Sequence, residues 1–497
     1  MAVTVGSSRL GLGVLRRLPA AARPLVRPGT VPAGVVHLGL GAFHRAHQAV
    51  YTEAAIGAAG GDWGIVAVAP RSTSLVEALA AQDNLFSVST LSAAGSATRV
   101  VGALSGVRHA PSDPDAVVAL LADPAVRVVT LTVTEKAYQL DPVTGQLCPD
   151  SALAADLAGG RPPTTVPGLL LRGLAARAAA DAGPVALVSC DNLPANGRRL
   201  RGLVDQAVGR AVGVPTGLVD WVAGNVTCPG TMVDRIVPAS TPETIEAARR
   251  ALGVTDLAAV AAEPYAQWVI EDDFLGGRPG WEHAGAVLTD DAGPWERLKL
   301  RSLNGVHSAI AYLGALAGRE TIADALEIPH LADVLRRLIA EDVAHSFTPP
   351  DGVRVVDYGE QVLARFGNPA IRHRTLQVAT DGSQKLPQRV LHTIADLRAA
   401  GRSARWAALV VAAWLRFALG YTDDGRSLPF QDPLAEPIRA ALSAGTQSPA
   451  GAVDAVFALR EIVPAEVAGD DEVRAEVTGW LTALARHGVE ATLAGAR

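Results

Sequence analysis

Cysteine and aromatic residues are scarce in this 497-residue chain, which has three cysteines, Cys148, Cys190 and Cys228, and 4% Phe, Trp and Tyr. The cysteine count is odd and shows no metal-ligand spacing, so neither a disulfide framework nor a zinc cluster is expected. No run of lysine or arginine occurs, and the net charge is −6 with an isoelectric point near 6.0. A nucleic-acid binder would show a basic face, so polyanionic partners are excluded. Long apolar runs are missing too. Trp406 to Leu419 is interrupted by Arg416 and falls short of the ~20 apolar residues a bilayer requires, so no membrane association is expected. Nor is there a secretory apolar segment followed by a cleavage site, so a reducing cytoplasm is the expectation. Finally, no carboxylate precedes Glu53. An arginine-bearing start without acids raises an organelle transit peptide. Against it, Arg9 to Leu18 reads as a short helix and Arg23-Pro-Leu-Val-Arg-Pro28 as an extended lead, which suits an ordered N-terminal arm.

What is abundant is apolar: 49% of residues are hydrophobic and the mean hydropathy is +0.22, enough for two or three domains with large cores. Gly34-Val-Val-His-Leu-Gly39 reads as a strand feeding Gly39-Leu-Gly41-Ala-Phe-His-Arg-Ala-His47 and then a helical pattern. Strand, glycine turn and helix follow in the order a dinucleotide site needs. Gly39 permits the tight turn, Gly41 lets backbone approach a pyrophosphate, and Arg45 can add charge there. His44 stands where the third glycine of that fingerprint usually falls. A second strand, Trp63 to Ala69, leads into Pro70-Arg71-Ser72-Thr73, with no acid to bind a ribose 2′-hydroxyl. Arg71 could equally face a 2′-phosphate, so the spacing alone leaves NAD and NADP both open.

Further strands are expected at 125–134 and 184–189, with helices at 114–121, 166–182 and 198–212, the alternation of a doubly wound parallel sheet. Both strands exit into polar clusters, Thr134-Glu-Lys-Ala-Tyr138 and Ser189-Cys-Asp-Asn-Leu-Pro194, at the strand ends where such sheets bind ligands. After about Pro294 the pattern turns helical, at 299–318, 331–346, 386–400, 404–419, 451–460 and 470–487. The expected division is an α/β domain over 1–294 and a mostly helical domain over 295–497. At ~100° per residue, Lys299, Asn304 and His307 fall within an arc of roughly 140° on one helix. The same helix carries Leu298, Leu300, Leu303, Val306 and Ile310 for packing, with Ala309, Ala311 and Gly314 where a neighbour could come close. Two readings stay open from spacing: a buried lysine whose lowered pKa makes it a base, or a surface lysine beside a helix-packing histidine.

Seven strings decide between them: Gly39-x-Gly-x-Phe-His-Arg-Ala-His-Gln48, Thr132-Val-Thr-Glu-Lys-x-Tyr138, Ser189-Cys-Asp-Asn-x-Pro194, Thr231-Met-Val-Asp-Arg-Ile-Val-Pro238, Gln267-Trp-Val-Ile-Glu-Asp272, Lys299-x4-Asn304-x2-His307 and Asp381-Gly-Ser-Gln-Lys-Leu-Pro387. Together, from about residue 30 to 440, they resemble the mannitol dehydrogenase family of long-chain polyol and sugar-acid dehydrogenases. The resemblance implies a Rossmann-type domain, a helical domain, a cleft between them, and metal-independent hydride transfer between NAD and a secondary alcohol carbon. By the same resemblance Lys299 is the general base, Asn192 and Asn304 hold the reacting oxygen, and His307 orients the substrate. Gly39, Gly41, Phe43, Arg45, Arg71 and Glu135 fall to the cofactor.

Within the family, mannitol 2-dehydrogenases carry an arginine eight residues before the lysine of the Asp-Gly-x-x-Lys turn, and this chain has Gln377 there. The string His373 to Arg389 and the cluster Glu135-Lys136-Ala-Tyr138, followed by Asp141 to Leu147, are more similar to the fructuronate reductases. A uronate carries a carboxylate, for which Lys385 with Arg374 or Lys136 would be partners. The resulting expectation is D-mannonate/D-fructuronate. Mannitol/fructose, mannitol 1-phosphate and a dinucleotide sensor without catalysis follow as alternatives. No oligomeric state follows.

Overall fold

Among the described residues, twelve short strands form before residue 290: β1 (Ala33–Leu38), β2 (Gly64–Ala69), β3 (Phe86–Ser92), β4 (Gly95–Val101), β5 (Leu104–His109), β6 (Val128–Leu131), β7 (Val185–Ser189), β8 (Val226–Thr227), β9 (Thr231–Asp234), β10 (Val260–Ala262), β11 (Gln267–Glu271) and β12 (Val287–Thr289). The structure is a computed structural model that describes residues 8–141, 144–445 and 448–496. It has two units, Met1–Ala292 and Gly293–Arg497.

In the first unit the main sheet has the order β5-β2-β1-β6-β7-β8, every pair parallel. That is the 3-2-1-4-5-6 order of dinucleotide-binding sheets, with the direction of winding reversing between β1 and β6. Such a sheet is covered on both faces, and its side chains divide by alternation. Val35, Ile65, Ala67, Val128 and Val188 join a core with Ala49, Ile56, Trp268 and Trp281. Val36, Leu38, Val68, Val129 and Leu187 join another with Leu121, Leu170, Leu174 and Leu203. Beside this sheet lie two small ones, β10-β3-β4 and β12-β11-β9. β4 and β5 escaped the hydropathy pattern because small and polar residues interrupt their apolar ones. The N-terminal arm is ordered from residue 8, with Leu10, Val14, Leu18 and Ala22 packed on Leu85, Val100, Leu252 and Val254.

The second unit is helical among its described residues. Its central helix, Gly305–Leu316, is buried on every side, and a Cβ on Gly314 would lie 2.6 Å from that of Ala325, the close approach the small residues anticipate. Three spans expected as plain α-helix each contain a π turn: Lys299–Asn304, Leu338–Asp342 and Pro387–Leu391. Pro387 accounts for its own, because it has no N–H for the α ladder and its ring crowds the preceding turn.

Candidate functional site

The π turn Lys299–Asn304 changes the angular arithmetic of its polar residues. In an α-helix residues five apart diverge by ~140°, whereas i→i+5 bonding sets them nearly above one another. Here the Gly305 N–H donates to the Leu300 carbonyl, five residues back, so Lys299 and Asn304 share a face and His307 follows one α turn later. Gly305 itself allows the close contact this needs, since a Cβ there would sit 3.0 Å from the Arg389 carbonyl. Lys299, Asn304 and His307 are 7%, 7% and 9% exposed. The lysine is therefore not a surface charge. The Asn304 Nδ2 and the His307 Nε2 are buried without a protein hydrogen-bond partner, and buried polar atoms of this kind call for an explanation.

Aromatic contacts fix His307: Phe366 stacks on its ring at 4.4 Å, and His373 meets it edge-on at 4.9 Å. Burial holds its pKa well below the ordinary histidine value, and His373, Arg389, Lys385 and Arg365 push the same way. The imidazole is neutral, with one donor and one acceptor nitrogen. Around it the charge is cationic. Lys385 Nζ donates to the Thr380 carbonyl at 2.7 Å and lies 3.9 Å from Asp381. Burial, then Arg389, lowers its pKa. Arg389 donates to Ser308 Oγ at 3.1 Å. Arg374 is not brought into this group: its exposed side chain pairs with Glu320 at 3.2 Å, and the preceding residue, His373, faces inward instead.

In the first unit the glycine turn lies at the reversal point between β1 and β6. Gly39 has φ 112°, and a Cβ there would fall 2.1 Å from the Thr132 carbonyl, so no other residue fits. Gly41 meets only the Gly39 carbonyl, at 3.6 Å, and opens the helix Ala42–Ala46 with no side-chain cap. Open space above a helix start with free N–H groups fits a pyrophosphate. His44 explains the missing third glycine by stacking on His37 of β1, ring centroids 3.4 Å apart. His37 in turn bonds Thr130 Oγ1, Thr132 Oγ1 and the Gly39 carbonyl. Phe43 is half-buried on the ring of His47. The Arg45 guanidinium spans the glycine turn and the core: Nε donates to the Gly41 carbonyl at 3.2 Å, while the terminal nitrogen donates to the Ala258 carbonyl and the group lies near the Phe86 ring. Arg71 is exposed just past β2.

The two polar clusters are joined by Asp191, whose carboxylate accepts the Val133 and Thr134 N–H groups at 3.2 and 2.9 Å and the Tyr138 hydroxyl at 2.8 Å. Thr134 has φ 74°, a conformation a threonine keeps only when held. Glu135 and Lys136 follow it in an exposed 3₁₀ turn, and Asn192 is exposed beside Asp191. Pro142 and Val143 of the string after Tyr138 lie outside the described residues. Sequence reasoning missed Phe366 and Arg365 as site neighbours, and it named His37, Asp191, His373 and Arg389 only inside longer strings, without a role. Arg389 left a further signal, four residues after Lys385 on one helical face.

Among the described residues no three His, Cys, Asp or Glu side chains could hold a metal ion, and no helix is long and apolar enough to cross a membrane. Residues 33–283 match the model of the mannitol dehydrogenase Rossmann domain, and residues 291–485 that of the mannitol dehydrogenase C-terminal domain. The chain is 40% identical over 463 residues to an uncharacterized oxidoreductase of Escherichia coli K12, YdfI, covering 93% of this chain and 94% of that protein. It is 39% identical over 422 residues to the D-mannonate oxidoreductase of the same organism, covering 84% and 86%. Its structure resembles Pseudomonas fluorescens mannitol 2-dehydrogenase, solved as a ternary complex with NAD and D-mannitol, at 34% identity and a TM-score of 0.84, covering 98% and 99% of the two chains.

Proposed function

The chain belongs to the mannitol dehydrogenase family of NAD-dependent polyol and sugar-acid dehydrogenases, and from that premise we propose that it interconverts D-mannonate and D-fructuronate. The observation that carries the reading is the buried face of Lys299, Asn304 and His307 with Lys385 and Arg389 beside it. A neutral donor set suits any polyol, whereas two added cations suit a substrate bearing a carboxylate. NAD, when bound, supplies the hydride acceptor for alcohol oxidation and, as NADH, the donor for the reverse.

The chain's own residues do the rest. Lys299 Nζ takes the hydroxyl proton as the carbonyl forms and returns it in reduction. Asn304 Nδ2 donates to the same oxygen as negative charge builds there, and Asn192 is assigned the second amide of the pair. Amides hold an alkoxide-like oxygen without competing for its proton, and a donor already in place needs no reorganisation at the transition state. Neutral His307 hydrogen-bonds a neighbouring hydroxyl and, clamped by Phe366 and His373, orients it. All three cysteines are free, in keeping with a cytoplasmic enzyme.

The test is the rate of NADH oxidation with fructuronate, tagaturonate, fructose and fructose 6-phosphate. Fructuronate should be turned over fastest. Equal or faster turnover of fructose rejects the uronate reading in favour of a mannitol 2-dehydrogenase, and NADH binding with no turnover on any of them rejects catalysis.

A further inference from the structure

The end of β2 carries a feature the NAD-dependent reading does not use. The Gly39 and Leu40 N–H groups both donate to the Val68 carbonyl, at 2.9 and 3.1 Å, so the glycine turn is tied to β2 two residues before Pro70. In a doubly wound sheet the side chains that follow this strand meet the adenosine ribose: an acid there accepts from the 2′-hydroxyl, while an arginine accommodates a 2′-phosphate. From Gly64 to Ala81 the sole carboxylate is Glu77, on the helix Ser74–Ala80, and Asp62 lies at the opposite end of the strand. What the strand does present is Arg71, Ser72, Thr73 and Ser74, all exposed.

This segment is anchored. His109, at the end of the neighbouring strand β5, bonds the Arg71 carbonyl through Nε2 at 3.1 Å and Ser112 Oγ through Nδ1 at 2.6 Å. Ser72 Oγ and Ser74 Oγ converge to 2.9 Å. Among the described residues no carboxylate pairs with the Arg71 guanidinium. A cation and two hydroxyls on a fixed backbone, with no competing acid, form a donor set for a phosphate dianion, where charge-assisted bonds are strongest.

We propose that Arg71, Ser72 and Ser74 form a 2′-phosphate subsite, so that the enzyme binds NADP(H) as well as NAD(H). The proposal rests on the dinucleotide-binding reading above. Its test is the dissociation constants of NADH and NADPH, measured by calorimetry without substrate, for the wild type, Arg71→Ala and Arg71→Asp. These are surface substitutions, and they leave the fold intact. NADPH should bind the wild type within about tenfold of NADH. Arg71→Ala should weaken NADPH by roughly ten- to a hundredfold, with NADH changed by less than about threefold, and Arg71→Asp should weaken NADPH further. Wild-type NADPH binding more than about tenfold weaker than NADH, or an equal loss of both ligands in Arg71→Ala, overturns the subsite while the NAD reading stands. Failure of NADH itself to bind overturns the dinucleotide reading and the subsite with it.

Discussion

Replacing Asn304 by leucine should move activity and stability in opposite directions. The Nδ2 of Asn304 is buried without a protein acceptor, and a buried donor left unmatched by protein costs about 1–3 kcal/mol. Leucine has the same branching at Cγ, suits the helix that begins at Gly305, and carries no donor. The fold should therefore gain between 0 and about 2 kcal/mol. For a unit the size of Gly293–Arg497, 1 kcal/mol shifts Tm by roughly 2–4 °C, so the variant should melt at the wild-type temperature or a few degrees above it. Turnover should fall by about 10²–10³, the loss typical when one preorganised donor to a developing oxyanion is removed. Differential scanning calorimetry and kcat for NADH oxidation with the best ketose or hexulosonate measure both quantities. A Tm lowered by more than about 4 °C would show that the amide supports the fold. A rate within about threefold of wild type would remove Asn304 from the chemistry.

Lys299→Met should retain NADH affinity and lose about 10²–10⁴ in kcat, and Lys299→Ala should be partly rescued by added primary amines; a near-wild-type rate for the methionine variant sinks the base assignment. Arg389→Met and Lys385→Met should each raise KM for fructuronate by roughly ten- to a hundredfold with a smaller effect on fructose; equal effects on the two ketoses would show that the cations do not read a carboxylate. The buried carboxyl of Glu53 is pushed up by burial from 4.5 to about 7, against the Gly102 N–H that donates to it at 2.6 Å. Between those two values the folded chain holds a proton that the unfolded chain has released, so this residue's contribution to stability declines as pH rises from about 4.5 to about 7. Glu53→Gln keeps the acceptor for Gly102 and removes the titration, so its Tm relative to wild type should be higher at about pH 8 than at about pH 5. An unchanged difference would mean the carboxyl ionises normally.

The sequence by itself determined the elements whose physics is local. Short, nearly continuous apolar runs at Val35–Leu38 and Ile65–Ala69 were enough to place two strands, and Gly39 at the exit of the first marked a turn no side chain could share. The run from Lys299 to Leu316, apolar around a few polar residues, declared a buried helix. Whether the lysine at its start would lose water stayed open from spacing, and only the tertiary structure buried it. Tertiary structure decided whatever depends on distant segments. The π turn that aligns Lys299 with Asn304 involves Gly305 pressed against the Arg389 carbonyl, a contact across more than eighty residues of chain that no periodicity records. His44 replaces a glycine because β1 supplies His37 for it to stack on. Arg45 is tied to the Gly41 carbonyl of the turn and also reaches the Ala258 carbonyl, an acceptor more than two hundred residues away. His373 faces inward and Arg374 outward because the backbone there bridges to Thr321, and a one-residue step on a short extended segment reverses the side. Residue identity set the chemistry on offer, and long-range packing chose which groups face the same space.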